Sequence, residues 1–326
     1  MADTAILLLA HGTPETLDDI PEYLRNVTSG RPMPEHVVAE IRHRYGLIGG
    51  SPLTELTEEQ GRLLNAMMAV PVYVGMRNWK PYIVDVVKQM RADGVRSAVA
   101  ICLAPQNSRT SVGLYRRAVQ AEAGELTFDF VDAWADHPLL ADAFADRLRP
   151  VWQKLCEETG TAVPVLFTAH SVPCRTIQVQ PPAEGERPAG RSQNAKPDPY
   201  PQQAKRTAAL VAERIEGLKA DNWFFAFQSQ GMSGGPWIGP TVEETLSAIR
   251  NAGHTTVILQ PIGFLCDHVE ILYDVDILFR DVAAKIGLRL ERPASLNDSP
   301  TLTAALADLA SSGLKRLGAA HVSNVR

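Results

Sequence analysis

The chain has 326 residues, of which 45% are hydrophobic and 21% are charged, a balance typical of a globular protein large enough for two domains. Its formal net charge of −5, without clusters of Lys and Arg among aromatic residues, argues against nucleic acid as a partner. No apolar run approaches the roughly 20 residues of a membrane-spanning helix, so we expect no integral membrane segment.

The first apolar run, residues 5–10, has no Lys or Arg before it, which is not the pattern of a secretory signal. We interpret it as a buried strand of a cytoplasmic protein. Seven further short runs, bounded by Gly or Pro, predict buried parallel strands. They lie at 72–76, 98–104, 127–133, 164–169, 223–227, 255–260 and 288–291. Helical patterns lie between them, such as 83–94, where Gly94 is the expected C-terminal cap.

Three pairs of segments repeat in the same order and at nearly constant spacing, which indicates an internal duplication. The pairs are AILLLAHGTP (5–14) with PVLFTAHSVP (164–173), VAICLAPQ (99–106) with TVILQPIG (256–263), and DHPLLADAFADRL (136–148) with DSPTLTAALADL (298–309). The pattern predicts an α/β fold of two duplicated, doubly wound parallel-sheet domains, 1–155 and 156–326, facing a central cleft. We expect the last helix to pack back on the first domain.

Ligands of open α/β sheets bind beyond the carboxyl ends of the strands. His11 and His170 follow the first strand of each copy and are therefore candidates for this edge. A neutral imidazole there could ligate a metal or accept a proton near pH 7. The alternative is a buried histidine satisfied by a backbone carbonyl.

The segment QPIGFLCDHVEILYDVDILFRD (260–281) carries a row of acids. Read as a helix from about residue 267, it brings four carboxylates to one face. They are Asp267, Glu270, Asp274 and Asp281. A solvated acidic stripe is the alternative, but the helix comes directly off a buried strand at the cleft edge. Carboxylates beside an imidazole suit ferrous iron or zinc, in an open delivery site rather than a closed structural one.

Other features of the chain leave several possibilities open. Trp79 and Trp237 each follow a strand end and either stack on a flat ligand or pack in the core. The Pro-rich stretch 181–203 predicts a mobile loop or lid. Four cysteines without short pairing support neither a disulfide framework nor a zinc site. They are Cys102, Cys156, Cys174 and Cys266.

Along almost its entire length, the sequence resembles the ferrochelatases. The matching stretches are AHGTPET, RYGLIGGSPL with TEEQ, VYVGMRNWKPYI, LAPQNS, FTAHSVP, DPYPQQ and PIGFLCDHVEILYDVD. The resemblance implies that His170 and Glu270 bind incoming ferrous iron and handle the pyrrole protons, and that Asp274 continues the metal path. It also implies a distorted porphyrin in the cleft, since saddling the macrocycle exposes its nitrogen lone pairs.

Within the family, the short link between the first motif and IGGSPL resembles the coproporphyrin III ferrochelatases; members that use protoporphyrin typically carry a longer apolar insertion there. The same matching implies porphyrin contacts at several positions. These are His11, Arg31, Arg44, Tyr45, Ser51 and Tyr115. His11 stands where that group usually has Tyr, a ligand of product iron. The chain departs from the family at Thr28, where a basic residue is usual, and at Leu278, where an acid is usual.

Iron and porphyrin are expected as substrates of a monomeric enzyme, with no tightly bound cofactor and, without C-terminal cysteines, no iron–sulfur cluster. Two rival hypotheses remain besides use of protoporphyrin IX. Small cobalt or sirohydrochlorin chelatases also begin with a strand ending in His-Gly and would make His11 catalytic. A tetrapyrrole carrier would bind in the same cleft without chemistry, although a carrier gains nothing from acids beside a histidine.

Overall fold

The computed structural model describes residues 3–177, 198–230 and 236–323 of the chain. Within these ranges, eight strands form two four-stranded sheets. The first sheet contains β1 (Thr4–Ala10), β2 (Val72–Met76), β3 (Ser97–Cys102) and β4 (Thr127–Val131). The second contains β5 (Val165–His170), β6 (Trp223–Gln228), β7 (Thr256–Pro261) and β8 (Arg289–Glu291).

Helices connect the strands as crossovers. Those described in the first half are α1 (Ile20–Val27), α2 (Glu35–Ile48), α3 (Leu53–Met67), α4 (Ile83–Ala92), α5 (Val112–Glu122) and α6 (Pro138–Thr159). Those described in the second are α7 (Cys174–Ile177), α8 (Tyr200–Ala212), α9 (Val242–Asn251), α10 (Val269–Leu272), a π-helix (Asp274–Phe279), α11 (Arg280–Lys285) and α12 (Pro300–Ser323). No helix in these described ranges is long and apolar enough to cross a membrane.

Both sheets have the same topology, which confirms the predicted duplicated α/β fold. Their strand orders are β2-β1-β3-β4 and β6-β5-β7-β8, and every neighbouring pair is parallel. β1 and β5 therefore hold equivalent inner positions. Because parallel strands end at one edge, His11, directly after β1, and His170, the last residue of β5, stand at corresponding points.

All eight predicted strands exist, and most boundaries agree to within a residue. The exceptions are β3 and β4, which end two residues earlier than expected, at Cys102 and Val131. After β3 the chain leaves the sheet, so that Leu103 and Ala104 line a cavity instead of extending the strand. α4 ends at Ala92, and Gly94 follows it with a φ of +83°.

The stretch expected as a mobile loop or lid, 181–203, is described only from residue 198 onward. Residues 181–197 lie outside the described part of the chain. Tyr200 begins α8, so the last four residues of the expected loop are the first turn of a helix. Pro199 and Pro201 suit this position, because the first turn of a helix needs no donor from its earliest residues.

Two long helices join the halves of the molecule. α6 runs across the expected domain boundary at residue 155. α12, from the end of the chain, packs on α6, α3 and the strands β3 and β4 of the first half. Its residues Leu302 and Leu306 are fully buried in one cluster with Ile6 of β1 and Phe167 of β5. A single hydrophobic core therefore spans both sheets.

Candidate active site

A cavity of about 520 Å³ lies at the carboxyl ends of both sheets. Its walls come from the segments after β1, β3, β5 and β7, with side chains of α1, α2 and α3 closing one side. Apart from these helices, the walls begin where buried strands stop, and the strands fix the positions of the residues that follow them. This is the edge at which the sequence predicted a cleft.

His170 and Glu270 meet in this cavity. The imidazole Nε2 of His170 lies 3.3 Å from a carboxylate oxygen of Glu270. The other ring nitrogen of His170 bonds to the carbonyl oxygen of Ser171. The Tyr200 hydroxyl donates to the His170 carbonyl at 2.9 Å, and the Gln228 amide donates to the Glu270 carbonyl at 2.9 Å. Both backbones are thus held from outside the pair.

Glu270 also contacts a second imidazole. His268 places its Nε2 3.5 Å from the other carboxylate oxygen of Glu270, and its Nδ1 lies 3.0 Å from the carbonyl of Cys266. The ring of Phe264 packs on His268 with centroids 4.6 Å apart. Each oxygen of one carboxylate therefore faces a histidine.

The electrostatics of this cluster favour an ion pair near neutral pH. Burial by itself would raise the pKa of Glu270, but His170 and His268 hold that pKa well below its ordinary value. Burial would likewise lower the pKa of His170, yet the Glu270 carboxylate more than offsets this and raises it. Both shifts favour a protonated His170 beside an ionised Glu270.

Asp274 lies one turn beyond Glu270 and is almost fully buried. The Ser229 hydroxyl donates to one of its oxygens, and the Arg44 guanidinium lies 3.6 Å from the other. Burial, followed by the Glu270 charge, raises the pKa of Asp274 to about 6. A carboxyl that changes charge near neutral pH therefore stands directly behind the His170–Glu270 pair.

The expectation of four acids on one continuous helix face is wrong. Glu270 and Asp274 share the inner face, but Asp267 precedes the helix and binds Arg292, while Asp281 is exposed and pairs with Lys285. Asp267 is excluded because the helix begins only at Val269, and Asp281 because the wider turn of the π-helix Asp274–Phe279 rotates the residues that follow away from the α-helical register.

His11 lines the same cavity with both ring nitrogens engaged. The Asn78 amide donates to its Nε2 at 3.0 Å, and its Nδ1 lies 3.1 Å from the carbonyl of Gly12. Burial, with a smaller contribution from Arg77, lowers the pKa of His11 to about 4. This imidazole is neutral at pH 7, whereas the pKa of its repeat partner His170 is raised by Glu270.

A family model described as Ferrochelatase matches residues 3–314 of the chain. The chain belongs to the ferrochelatase family. A ferrochelatase of Acidobacterium capsulatum is 65% identical over 318 residues, covering 97% of this chain and 96% of that protein. A coproporphyrin III ferrochelatase of Geobacillus sp. is 33% identical over 324 residues, covering 96% and 97%. Membership identifies the protein as an enzyme that inserts a metal into a porphyrin.

One solved structure supports the fold. It is the sirohydrochlorin chelatase SirB from Bacillus subtilis subspecies spizizenii in complex with cobalt, which superposes with a TM-score of 0.54. The two proteins are 10% identical, and the match covers 95% of this chain and 94% of that one. At this identity the likeness concerns the fold alone and leaves the metal and the substrate open.

The porphyrin contacts expected from the ferrochelatase resemblance fall in two groups. Arg31, Tyr45, Ser51 and Tyr115 line the cavity. The buried Ser51 hydroxyl has no partner in the described residues and is free for a ligand. Arg44 is not among the described residues that line the cavity, because its guanidinium binds Glu40 and Asp274 and lies over the ring of Tyr273.

The structure separates the two tryptophans considered above. Trp237 lines the cavity, with its ring 6.5 Å from that of His170, whereas Trp79 is 2% exposed and packs in the core around α1. Sequence reasoning missed several cavity residues, among them His268, Tyr200 and Arg77. His268 could have been found, since it stands inside the same Asp-His-x-Glu motif as Glu270.

Across residues 3–177, 198–230 and 236–323, no three side chains of His, Cys, Asp or Glu are grouped so as to hold a metal ion. His170 and Glu270 as a pair place a ring nitrogen and a carboxylate oxygen 3.3 Å apart in the cavity. Such a donor set suits borderline divalent ions such as ferrous iron.

Proposed function

We propose that this ferrochelatase inserts ferrous iron into coproporphyrin III, with His170 and Glu270 as the catalytic pair. The observation that carries the proposal is the 3.3 Å approach of the His170 imidazole to the Glu270 carboxylate inside the cavity. Nitrogen and oxygen at this separation can hold either a shared proton or one metal ion between them. A pair of this kind can exchange a proton for an incoming ion.

Metal insertion requires the porphyrin to lose two pyrrole protons, and the cluster offers acceptors for them. A pyrrole nitrogen presented to the pair would lose its proton as the metal moves from the pair to the macrocycle. Glu270 and Asp274 form a line leading away from the cavity, and Asp274 has a pKa of about 6. Carboxyl groups with pKa values near the working pH are suited to passing protons onward.

The preference for coproporphyrin III rests on the region around α1 and α2. These helices are joined by only the residues between Val27 and Glu35, without the apolar insertion typical of protoporphyrin-using members. Coproporphyrin carries four carboxylates, whereas protoporphyrin carries two. The cavity wall offers Arg31 and Arg77 as cations, together with the hydroxyls of Ser108, Thr110 and Ser111. Relatives named coproporphyrin III ferrochelatases, at 32–33% identity, favour the same substrate.

The test is anaerobic iron insertion by the purified protein, followed by absorbance, with coproporphyrin III and protoporphyrin IX offered separately. We expect kcat/KM for coproporphyrin III to be at least about tenfold higher, because the polar wall would be left unpaired by the other substrate. A preference for protoporphyrin IX would overturn the substrate assignment. Turnover only of sirohydrochlorin with cobalt, or binding without insertion, would overturn the proposal as a whole.

A further inference from the structure

The segment that carries His268, Glu270 and Asp274 has little helical support of its own. His268 is extended, with a φ of −163°, α10 has only four residues, and a π-helix follows. Single turns and π-helices are weakly held by their internal hydrogen bonds. The position of the Glu270 carboxylate must therefore depend on contacts from elsewhere in the fold.

Arg292 supplies such contacts from the end of β8. Its Nε and one terminal nitrogen bind the two oxygens of Asp276 at 2.9 and 2.6 Å. Its other terminal nitrogen lies 3.3 Å from Asp267. One guanidinium, with only 10% of its side chain exposed, thus binds an acid on each side of Glu270. Arg280 also approaches Asp276, but from 3.9 Å.

Further bonds extend this contact into the other half of the molecule. Asp267 accepts hydrogen bonds from the Ser295 hydroxyl at 2.6 Å and the Asn297 amide at 2.9 Å. The Asn297 carbonyl in turn accepts a 2.6 Å bond from Gln60 of α3. The start of the Glu270 segment is therefore fixed to α3 of the first half and to the loop after β8 through partly buried polar groups.

We propose that Arg292 is a positioning residue for metal insertion: by binding Asp267 and Asp276 together, it sets the separation between His170 and Glu270. This inference rests on the proposed role of that pair. Without the guanidinium, two carboxylates with 18% and 25% of their side chains exposed lose their nearest counter-charge, which destabilises the fold. The segment is then no longer held on both sides of Glu270, and it moves away from His170.

The test compares Arg292→Lys and Arg292→Met with the native protein in iron insertion. We expect kcat to fall about 10- to 100-fold in Arg292→Met, with a partial loss in Arg292→Lys, which keeps the charge but cannot bind both acids in a fork. Porphyrin affinity, measured by fluorescence quenching, should stay unchanged. Equal losses in porphyrin affinity and kcat would indicate a deformed cleft and overturn the inference.

Arg289→Met is the matched control, because Arg289 begins the strand that Arg292 directly follows and pairs with Glu158 and Glu291 at the surface. Its kcat should remain within about twofold of the native value, as expected for exposed ion pairs. A fall as large as that of Arg292→Met would show that any change on β8 impairs the enzyme, and would overturn the inference.

A triple variant, Arg292→Met with Asp267→Asn and Asp276→Asn, separates geometry from charge. If Arg292 is a positioning residue, the triple variant should regain the urea unfolding midpoint that Arg292→Met loses, while its kcat stays low. Recovery of native kcat in the triple variant would overturn the positioning role. If Arg292→Met fails to fold, the kcat of Arg292→Lys still tests the positioning role. Native kcat in Arg292→Lys, with activity lost in Glu270→Gln, rejects only the positioning role. Native kcat in both rejects the proposed catalytic pair as well.

Discussion

At the scale of single residues, the two histidines of the duplication have pKa values shifted in opposite directions. The Glu270 carboxylate raises the pKa of His170, whereas burial, with a smaller contribution from Arg77, lowers that of His11 to about 4, and the Asn78 amide donates to the His11 ring. A histidine with an adjacent carboxylate can exchange a proton for a metal near pH 7, while one that accepts an amide hydrogen has its lone pair occupied. The same position in the repeat therefore supports different chemistry in each half.

This difference predicts unequal effects of mutation at the two positions. We expect His170→Ala to abolish iron insertion, at least about 100-fold, while porphyrin still binds, because the acceptor beside Glu270 is gone. His11→Gln keeps a neutral polar side chain beside Asn78 and should lose less than about tenfold. Anaerobic insertion assays and porphyrin titrations measure both. The reverse order, with His11→Gln the more damaging, would favour the chemistry of the small chelatases.

Asp274 should make folding stability depend on pH. Its pKa is about 6 in the folded protein, above the ordinary 3.8, so the folded state binds its proton more tightly than the unfolded chain does. The resulting stabilisation is present in full below pH 3.8 and is lost as the pH rises through about 6. Above that pH the folded protein holds a buried charge that the unfolded chain leaves in water.

Asp274→Asn should therefore be more stable than the native protein at pH 8, by an amount on the order of 2 kcal/mol, and equally stable near pH 4. Urea unfolding at both pH values measures the difference. Asp281→Asn, at an exposed acid that pairs with Lys285 in the same region, is the matched control. A constant difference between native protein and Asp274→Asn would contradict a raised pKa.

Sequence reasoning found the residues in recognisable motifs and missed those defined by long-range contacts. His170 and Glu270 are 100 positions apart, and the repeat together with the acidic segment indicated that both lie at one edge. The contact of Arg44 with Asp274 depends on the packing of α2 beside α10, and no local sequence pattern specifies that packing. The contact of Tyr200 with the His170 carbonyl likewise arises only from the tertiary fold.

At the scale of elements, the strands were predictable and the π-helix was not. Buried parallel strands such as β1 are continuous apolar runs, which a sequence displays directly. A π-turn adds one residue to a helix, and the segment 267–281 shows no Pro or Gly that would mark the irregularity. Extending an ideal helix therefore placed Asp281 on the inner face, although it lies on the surface.

The packing of α12 on the first sheet also depends on close approach. A Cβ at Gly313 would lie 2.6 Å from a methyl group of Val99 and 2.9 Å from Asp129, whereas one at Gly318 would meet nothing within 4 Å. Gly313→Ala should lower the free energy of unfolding by about 1–3 kcal/mol, since helix and sheet must separate. Gly318→Ala, on the same helix, should raise it by about 0.5 kcal/mol.

Urea unfolding of both glycine variants provides the comparison. Equal stability changes at the two positions would mean that helix propensity alone governs α12, and that its contact with β3 is not close. A loss confined to Gly313→Ala would support the docking of the last helix against the first half.

At the scale of the whole molecule, the duplication explains why one cavity has two related sides. The repeat predicted two similar sheets, but it did not specify how they share a core. Phe144 of α6, Phe167 of β5 and Leu306 of α12 belong to one fully buried cluster with Ile6 of β1. The proposed catalytic pair comes from the second half of the chain, whereas His11 and Tyr115 come from the first.

The shared core predicts that the two halves unfold together. Because α6 crosses residue 155 and α12 covers β3 and β4, a fragment 1–155 would expose the apolar surface that Leu302, Leu306 and Ala310 cover in the intact chain. We expect calorimetry of the full chain to give a single transition, and the fragment to show no cooperative unfolding. A saturating porphyrin should raise the transition temperature of the full chain without splitting the transition. At a porphyrin concentration 100 times Kd, the free energy of unfolding should rise by about 2.7 kcal/mol. Two separate transitions, or a fragment 1–155 that unfolds cooperatively, would mean that the cleft joins two independently stable domains.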